Sequence, residues 1–217
     1  MIYKVVDANE PIRQGDIFRS IPHVIYDPEN LFEITEGNGS RIKKKPSNWI
    51  DKIGNHDIRV AVRVQSCIGI VINQDCDTQR QDYIALFEIN DFFTVTNISM
   101  GKDPIKWIAE NLPKKAREAQ GAKWFYLPPD LTFGFEDKMA VDFRSVVTVP
   151  SLFLDHNKTK LRIGRLNHEA DEHFREHMSN YFRRYAYDEW YPFSKAEFNA
   201  YQSIKGNENS EPRDYQK

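Results

Sequence analysis

The sequence predicts an α+β fold, a bent antiparallel sheet or SH3-like β-barrel with a C-terminal helical layer, and three observations carry that expectation. Runs of β-branched and aromatic residues separated by turn-forming clusters recur up to about residue 165. The clearest helical stripe follows them, starting at Asn167. No internal repeat or low-complexity linker interrupts the 217 residues, 40 % of which are hydrophobic, so one continuous core is expected.

The elements follow in chain order. Segment 15–26, GDIFRSIPHVIY, is rich in β-formers but holds Pro22, which predicts an edge strand or two short ones with peripheral pairing. Residues 27–57 contain Pro28, Gly37, Asn38, Gly39, Pro46 and Gly54 around the basic run 41–45 and read as a long surface loop. From Arg59, alternation places Val60, Val62 and Val64 on one face of a half-buried strand and Arg59 and Arg63 on the other. Cys67–Ile72 is a nearly continuous apolar run suited to a central strand, and it ends in the polar stretch Asn73–Asp77. YIALFEI at 83–89 pairs with it as a hairpin.

Helices are expected near 104–120, after the Asp103–Pro104 cap. Strand composition returns at 124–127 and 141–149. In 158–163, Lys158, Lys160 and Arg162 alternate with Thr159, Leu161 and Ile163, which predicts a strand with one basic face. Ala170, Phe174, Met178 and Tyr181 then form the apolar stripe of a helix, and Ser194 with Glu197 offers a capping box for a last one. The expected organisation is a β-rich domain over 1–165, helices packed on it over 166–205 and a flexible tail over 206–217.

The net charge of −2 excludes wholesale electrostatic binding to nucleic acid or a membrane, so any such site must be a local patch. No apolar run reaches about 18 residues and no secretory leader pattern opens the chain, so a cytoplasmic protein with no membrane partner is expected. Cys67 and Cys76 form no CxxC pair, which argues against a zinc site built on cysteines. Glycine spacings match neither phosphate-loop pattern, so no nucleotide cofactor is implied.

The triplet Asp75–Cys76–Asp77 closes the central strand, where a rigid element fixes side chains at an open end. In a strand the two aspartates share one face; they could ligate a divalent metal, or one could serve as general base. Cys76 is the alternative nucleophile, although flanking anions oppose its ionisation. Equally, the triplet could be a structural turn with Cys76 as a small hydrophobe. His173 and His177 share a helix face but lack the glutamate placement of a metalloprotease. Arg59, Arg63, Lys158, Lys160 and Arg162 are the candidate phosphate contacts, or else edge-protecting charges.

Gly15–Asp16–Ile17, the strand Ile70–Asp77 ending in QDCD, Phe125–Pro128, Arg165–Leu166 and Phe182–Arg183 resemble a scattered group of bacterial proteins. The first two elements also resemble the MazF/PemK-type SH3-like barrels, with Gly15, Asp16 and Ile17 matching the opening motif of that toxin family. The resemblance implies a basic, partly aromatic groove that binds RNA, cleaved without metal by nearby polar groups. The functional expectation is a bacterial stress or phage-defence module engaging RNA or DNA, in the manner of a nuclease-like effector. Its alternative is a noncatalytic adaptor or antitoxin-like module for an operon-encoded protein, anchored by Tyr187, Trp190 and Tyr191 in the aromatic segment RRYAYDEWYPF.

Overall fold

Two long hairpin-forming strands set the frame. In the computed structural model, β1 (Tyr3–Lys4) precedes β2 (Asp16–Ile25), and β2 pairs antiparallel with β6 (Arg63–Val71), with Ile17 opposite Ile70 and Val24 opposite Val64. The structure describes residues 2–27, 32–35, 41–44, 60–96, 123–182, 195–206, 208, 209 and 211, with backbone only for 32–35 and 41–44. Between β2 and β6 lie β3 (Phe32–Thr35), β4 (Arg41–Lys44) and β5 (Val60–Ala61), a three-stranded sheet in the order β4-β3-β5. The expected long loop therefore contains a hairpin, because alternating Phe32, Ile34 and Ile42 outweigh the surrounding turn residues.

The main sheet adds β7 (Tyr83–Asp91), β8 (Trp124–Leu127), β9 (Met139–Pro150) and β10 (Arg162–Leu166), in the order β1-β10-β2-β6-β7-β9-β8, each neighbouring pair antiparallel. It is bent but not closed into a barrel: β1 and β8 are its two edges. A side chain nevertheless spans them, since the Tyr3 hydroxyl on β1 donates to the Pro128 carbonyl just beyond β8 at 2.8 Å. The Tyr3 ring also packs on Phe133 and Phe135, with centroids 5.2 and 5.5 Å apart.

Contrary to the peripheral pairing expected of it, β2 is an interior strand. Pro22 is tolerated because β10 covers only Asp16–Phe18, which leaves the second half of β2 with one neighbour, β6. Val62 and Val64 are exposed rather than half-buried, because this end of β6 runs past the core that covers Ile70 and Val71.

Alternation along the strands divides the apolar residues between two cores. Ile17, Ile70, Phe87, Val141 and Phe143 face one side, which is closed by α4 (His168–Phe182) through Ala170 and Phe174. Phe18, Ile21, Val71, Leu86 and Val149 face the other, closed by Leu154 of α3 (Ser151–Leu161). Burying Phe174 completely stabilises the helix-to-sheet contact by about 1.5–3 kcal/mol. Asn167 caps α4 by accepting from the Ala170 N–H at 2.8 Å. Two short helices, α1 (Asp75–Thr78) and α2 (Phe92–Thr96), flank β7.

The segment expected to be a basic strand is instead the end of α3 followed by β10. Lys158 and Lys160 are therefore helical and do not share a strand face with Arg162. Leu154, Asn157 and Leu161 recur at helical spacing, and that period prevails over the local alternation.

The chain divides into two compact units, Met1–Tyr181 and Phe182–Lys217. In the second, α5 (Lys195–Gln202) buries Phe198 against Tyr201. The helices expected near 104–120 and the residues Arg59, Tyr187, Trp190 and Tyr191 lie outside the described residues. No described helix is long and apolar enough to cross a membrane.

Candidate functional site

The strand β6 ends at Val71, and the chain turns through Asn73 and Gln74 into α1. This turn is tied down on all sides. Asn73 accepts from the Ala85 N–H at 2.7 Å, and Gln14 donates its side-chain amide to the Ile72 carbonyl at 2.9 Å. The Thr78 hydroxyl, buried, donates to the Ile12 carbonyl at 2.8 Å. Asp75 accepts from the Gln14 N–H at 2.9 Å.

Asp75, Cys76 and Asp77 thus occupy a helical turn rather than a strand. Successive residues rotate by about 100° in a helix, so Asp75 and Asp77 point about 200° apart and do not form the single carboxylate face expected of them. Cys76 is exposed, its Sγ 3.8 Å from Asp77 Oδ1.

Across from the turn stands α4. Gln14, Gln74, Asp75 and Cys76 on one side and Asp171 and Arg175 on the other enclose a cleft of about 410 Å³. Arg175 donates to Asp171 Oδ2 at 2.7 Å, whereas Asp171 Oδ1 is closed off from solvent without a hydrogen-bond partner. Burial pushes the Asp171 carboxyl above its usual range, the Asp75 carboxylate adds to that shift, and Arg175 opposes it. Gly15 makes this approach feasible: a Cβ there would lie 2.7 Å from Asp171 Oδ1, and its φ of +79° suits glycine.

The basic residues do not converge here. The Arg162 side chain is buried, donating to Asp16 Oδ2 at 3.2 Å and to the Asp7 carbonyl at 2.6 Å, so it cannot serve as the expected phosphate contact. Lys158 pairs with Asp155 at 2.8 Å and lines a separate cleft beside Ile12 and Leu152. Arg63 and Lys160 are exposed on different elements. The motif residues Asp16 and Arg165 are likewise structural: Arg165 reaches both Asp16 oxygens, at 2.5 and 3.1 Å, and Glu10 at 2.9 Å.

Sequence reasoning found the turn but missed its partners. The available signal was Asp171 and Arg175 four residues apart on the helix flank, next to the stripe of Ala170 and Phe174. His177 packs edge-on against Phe125 at 5.6 Å, and burial lowers its proton affinity; His173 is exposed, so the two histidines do not form a ligand pair.

Compared with protein-family models, with curated proteins and with solved structures, the chain shows no match.

Proposed function

We propose that the cleft between the Gln74–Cys76 turn and α4 is the working site of this chain, and that it takes up a base of single-stranded nucleic acid. In the bacterial stress or phage-defence setting expected from the resemblance, the chain acts as a nuclease-like module with Asp171 as the group that exchanges a proton. The observation that carries this reading is the Asp171 carboxyl in the wall of the cleft, displaced in proton affinity by burial, with Oδ2 held by Arg175 and Oδ1 packed beside Gly15. Carboxylates and amides are the groups that pair with amino and ring positions of base edges, and single strands can splay a base into such a cleft. Arg175 is placed to meet the adjoining phosphate.

The helical turn at Asp75–Asp77 and the engaged Asp75 Oδ1 weigh against a metal held between those two carboxylates, so proton transfer is the chemistry the site favours. With Lys158 and Arg162 engaged elsewhere and Arg175 the cation lining the cleft, the salt dependence should be shallow, with a slope of about −0.7 per phosphate contact.

Electrophoretic binding and cleavage of single-stranded RNA and DNA, with magnesium or manganese and then with chelator, tests the reading. Binding of single strands over duplex, with cleavage that persists in chelator and is lost in Asp171→Asn, is the expected result. Failure to bind any single strand at low salt overturns it.

A second reading, an operon-encoded protein partner, is favoured by the directly paired Val24 and Val64, which are 50 % and 55 % exposed at one end of the β2–β6 pair. A larger species on size-exclusion with the product of a neighbouring gene, abolished by Val64→Lys, would support it.

A further inference from the structure

Three neighbouring strands of the main sheet bring a histidine, a cysteine and a glutamate together away from the cleft. His23 on β2 stands opposite Gln65 of β6, and Glu88 on β7 stands opposite Gly69 of the same strand. Cys67 lies midway between Gln65 and Gly69, so alternation puts its side chain on the face shared by His23 and Glu88. The potential ligand atoms of the three residues all lie within 4.8 Å of one another. His23 Nδ1 is 3.0 Å from Glu88 Oε1, and the Ser145 hydroxyl on β9 donates to Glu88 Oε2 at 2.6 Å.

We propose that His23, Cys67 and Glu88 form a binding site for one divalent transition metal of the zinc class. Thiolate, imidazole and carboxylate are the donors such an ion takes, and three protein ligands leave a coordination position for water or a substrate. Each donor sits on a different strand of a hydrogen-bonded sheet, which fixes their separation without the ion. Ser145 supplies the outer hydrogen bond that orients the carboxylate. The charges also match: a thiolate and a carboxylate neutralise a dication in a site where the His23 and Glu88 side chains are only 22 % and 12 % exposed. On binding, a metal–sulfur bond forms, the S–H bond of Cys67 breaks, and its proton passes to solvent; no electron is transferred. This site is independent of the proposed nucleic-acid cleft.

The chain has no closely spaced cysteine pair to signal such a site, because these ligands are distributed over strands separated in the chain. The test is titration of the purified, reduced full chain with cobalt(II), read by the near-ultraviolet thiolate charge-transfer band and by competition with zinc. The expected result is saturation at one metal per chain, a band present in wild type and Cys76→Ser and absent in Cys67→Ser, and affinity lowered at least about tenfold in His23→Gln and Glu88→Gln. Circular dichroism of each variant separates loss of ligand from loss of fold. Should Cys67→Ser fail to fold, His23→Gln and Glu88→Gln decide. A wild-type chain that gives no thiolate band, or folded His23→Gln and Glu88→Gln variants that bind as tightly as wild type, overturns the proposal.

Discussion

Asp16 and Arg165 are direct partners across β2 and β10, and Arg165 grips both oxygens of an aspartate that is completely buried. Arg162 and the Arg13 N–H share Asp16 Oδ2, so a single carboxylate holds β10 and the segment before β2 together. Both guanidinium groups then reach backbone carbonyls between Asp7 and Pro11, which fastens that segment as well.

Removing Asp16 leaves two buried arginines without their shared anion. Asp16→Ala should therefore cost about 3–5 kcal/mol, measured as a lowered urea midpoint at constant slope. Glu10→Gln, at the exposed end of the same network, should leave the midpoint nearly unchanged. Equal losses from both would show that the buried carboxylate is not the anchor.

Gly15 lets Asp171 of α4 approach closely. Gly15→Ala should destabilise the chain by about 1–3 kcal/mol, from the left-handed backbone and from contact with Asp171 Oδ1. In a double-mutant cycle Asp171→Ala should recover part of that loss, because it removes the contact but not the backbone strain. Strict additivity would contradict the close packing of α4 on this turn.

Much of the sheet is legible in the sequence because burial on two faces leaves a local signature. The run Cys67–Ile72 and the strand-like compositions at 83–89 and 141–149 emerge as β6, β7 and β9. The helix stripe through Ala170 and Phe174 is read for the same reason. Legibility ends where a pattern depends on distant contacts. The alternation at Lys158–Ile163 imitates a strand, and only the packing of Leu154 beneath the sheet reveals a helix. Pro22 marks β2 as an edge strand until the short reach of β10 is known. The QDCD turn was visible, but Asp171 joins it from nearly a hundred residues away, and nothing local announces the meeting.

Asp171 should imprint itself on the pH dependence of stability. Its folded-state proton affinity lies above the ordinary value of 3.8, so the folded chain holds this proton more tightly than the unfolded chain. The resulting stabilisation is complete below about pH 3.8 and is lost as pH rises through the folded-state value. Relative to Asp171→Asn, the wild type should thus become progressively less stable as pH rises above about 3.8, measured as urea midpoints. A difference that grows in favour of wild type over that range would mean that the Arg175 ion pair outweighs burial.

The two thiols should react at very different rates. Cys76 is exposed, whereas Cys67 is buried and its thiol is pushed up to about 12 by burial and by the Glu88 carboxylate. A chromogenic disulfide reagent should therefore modify one thiol rapidly in the native chain, lost in Cys76→Ser, and the second only on unfolding. Rapid modification of both would contradict the burial of Cys67.

Cys76 also serves as a reporter, since its side chain lines the cleft proposed to receive a nucleic-acid base. The most direct test is the rate of maleimide modification of Cys76 with and without saturating single-stranded RNA, binding being followed in the same sample by fluorescence anisotropy. Occupancy of the cleft predicts slowed modification in wild type and no protection in Asp171→Asn at the same RNA concentration. An unchanged rate at saturated binding, or no binding at all, would contradict the assignment of the cleft.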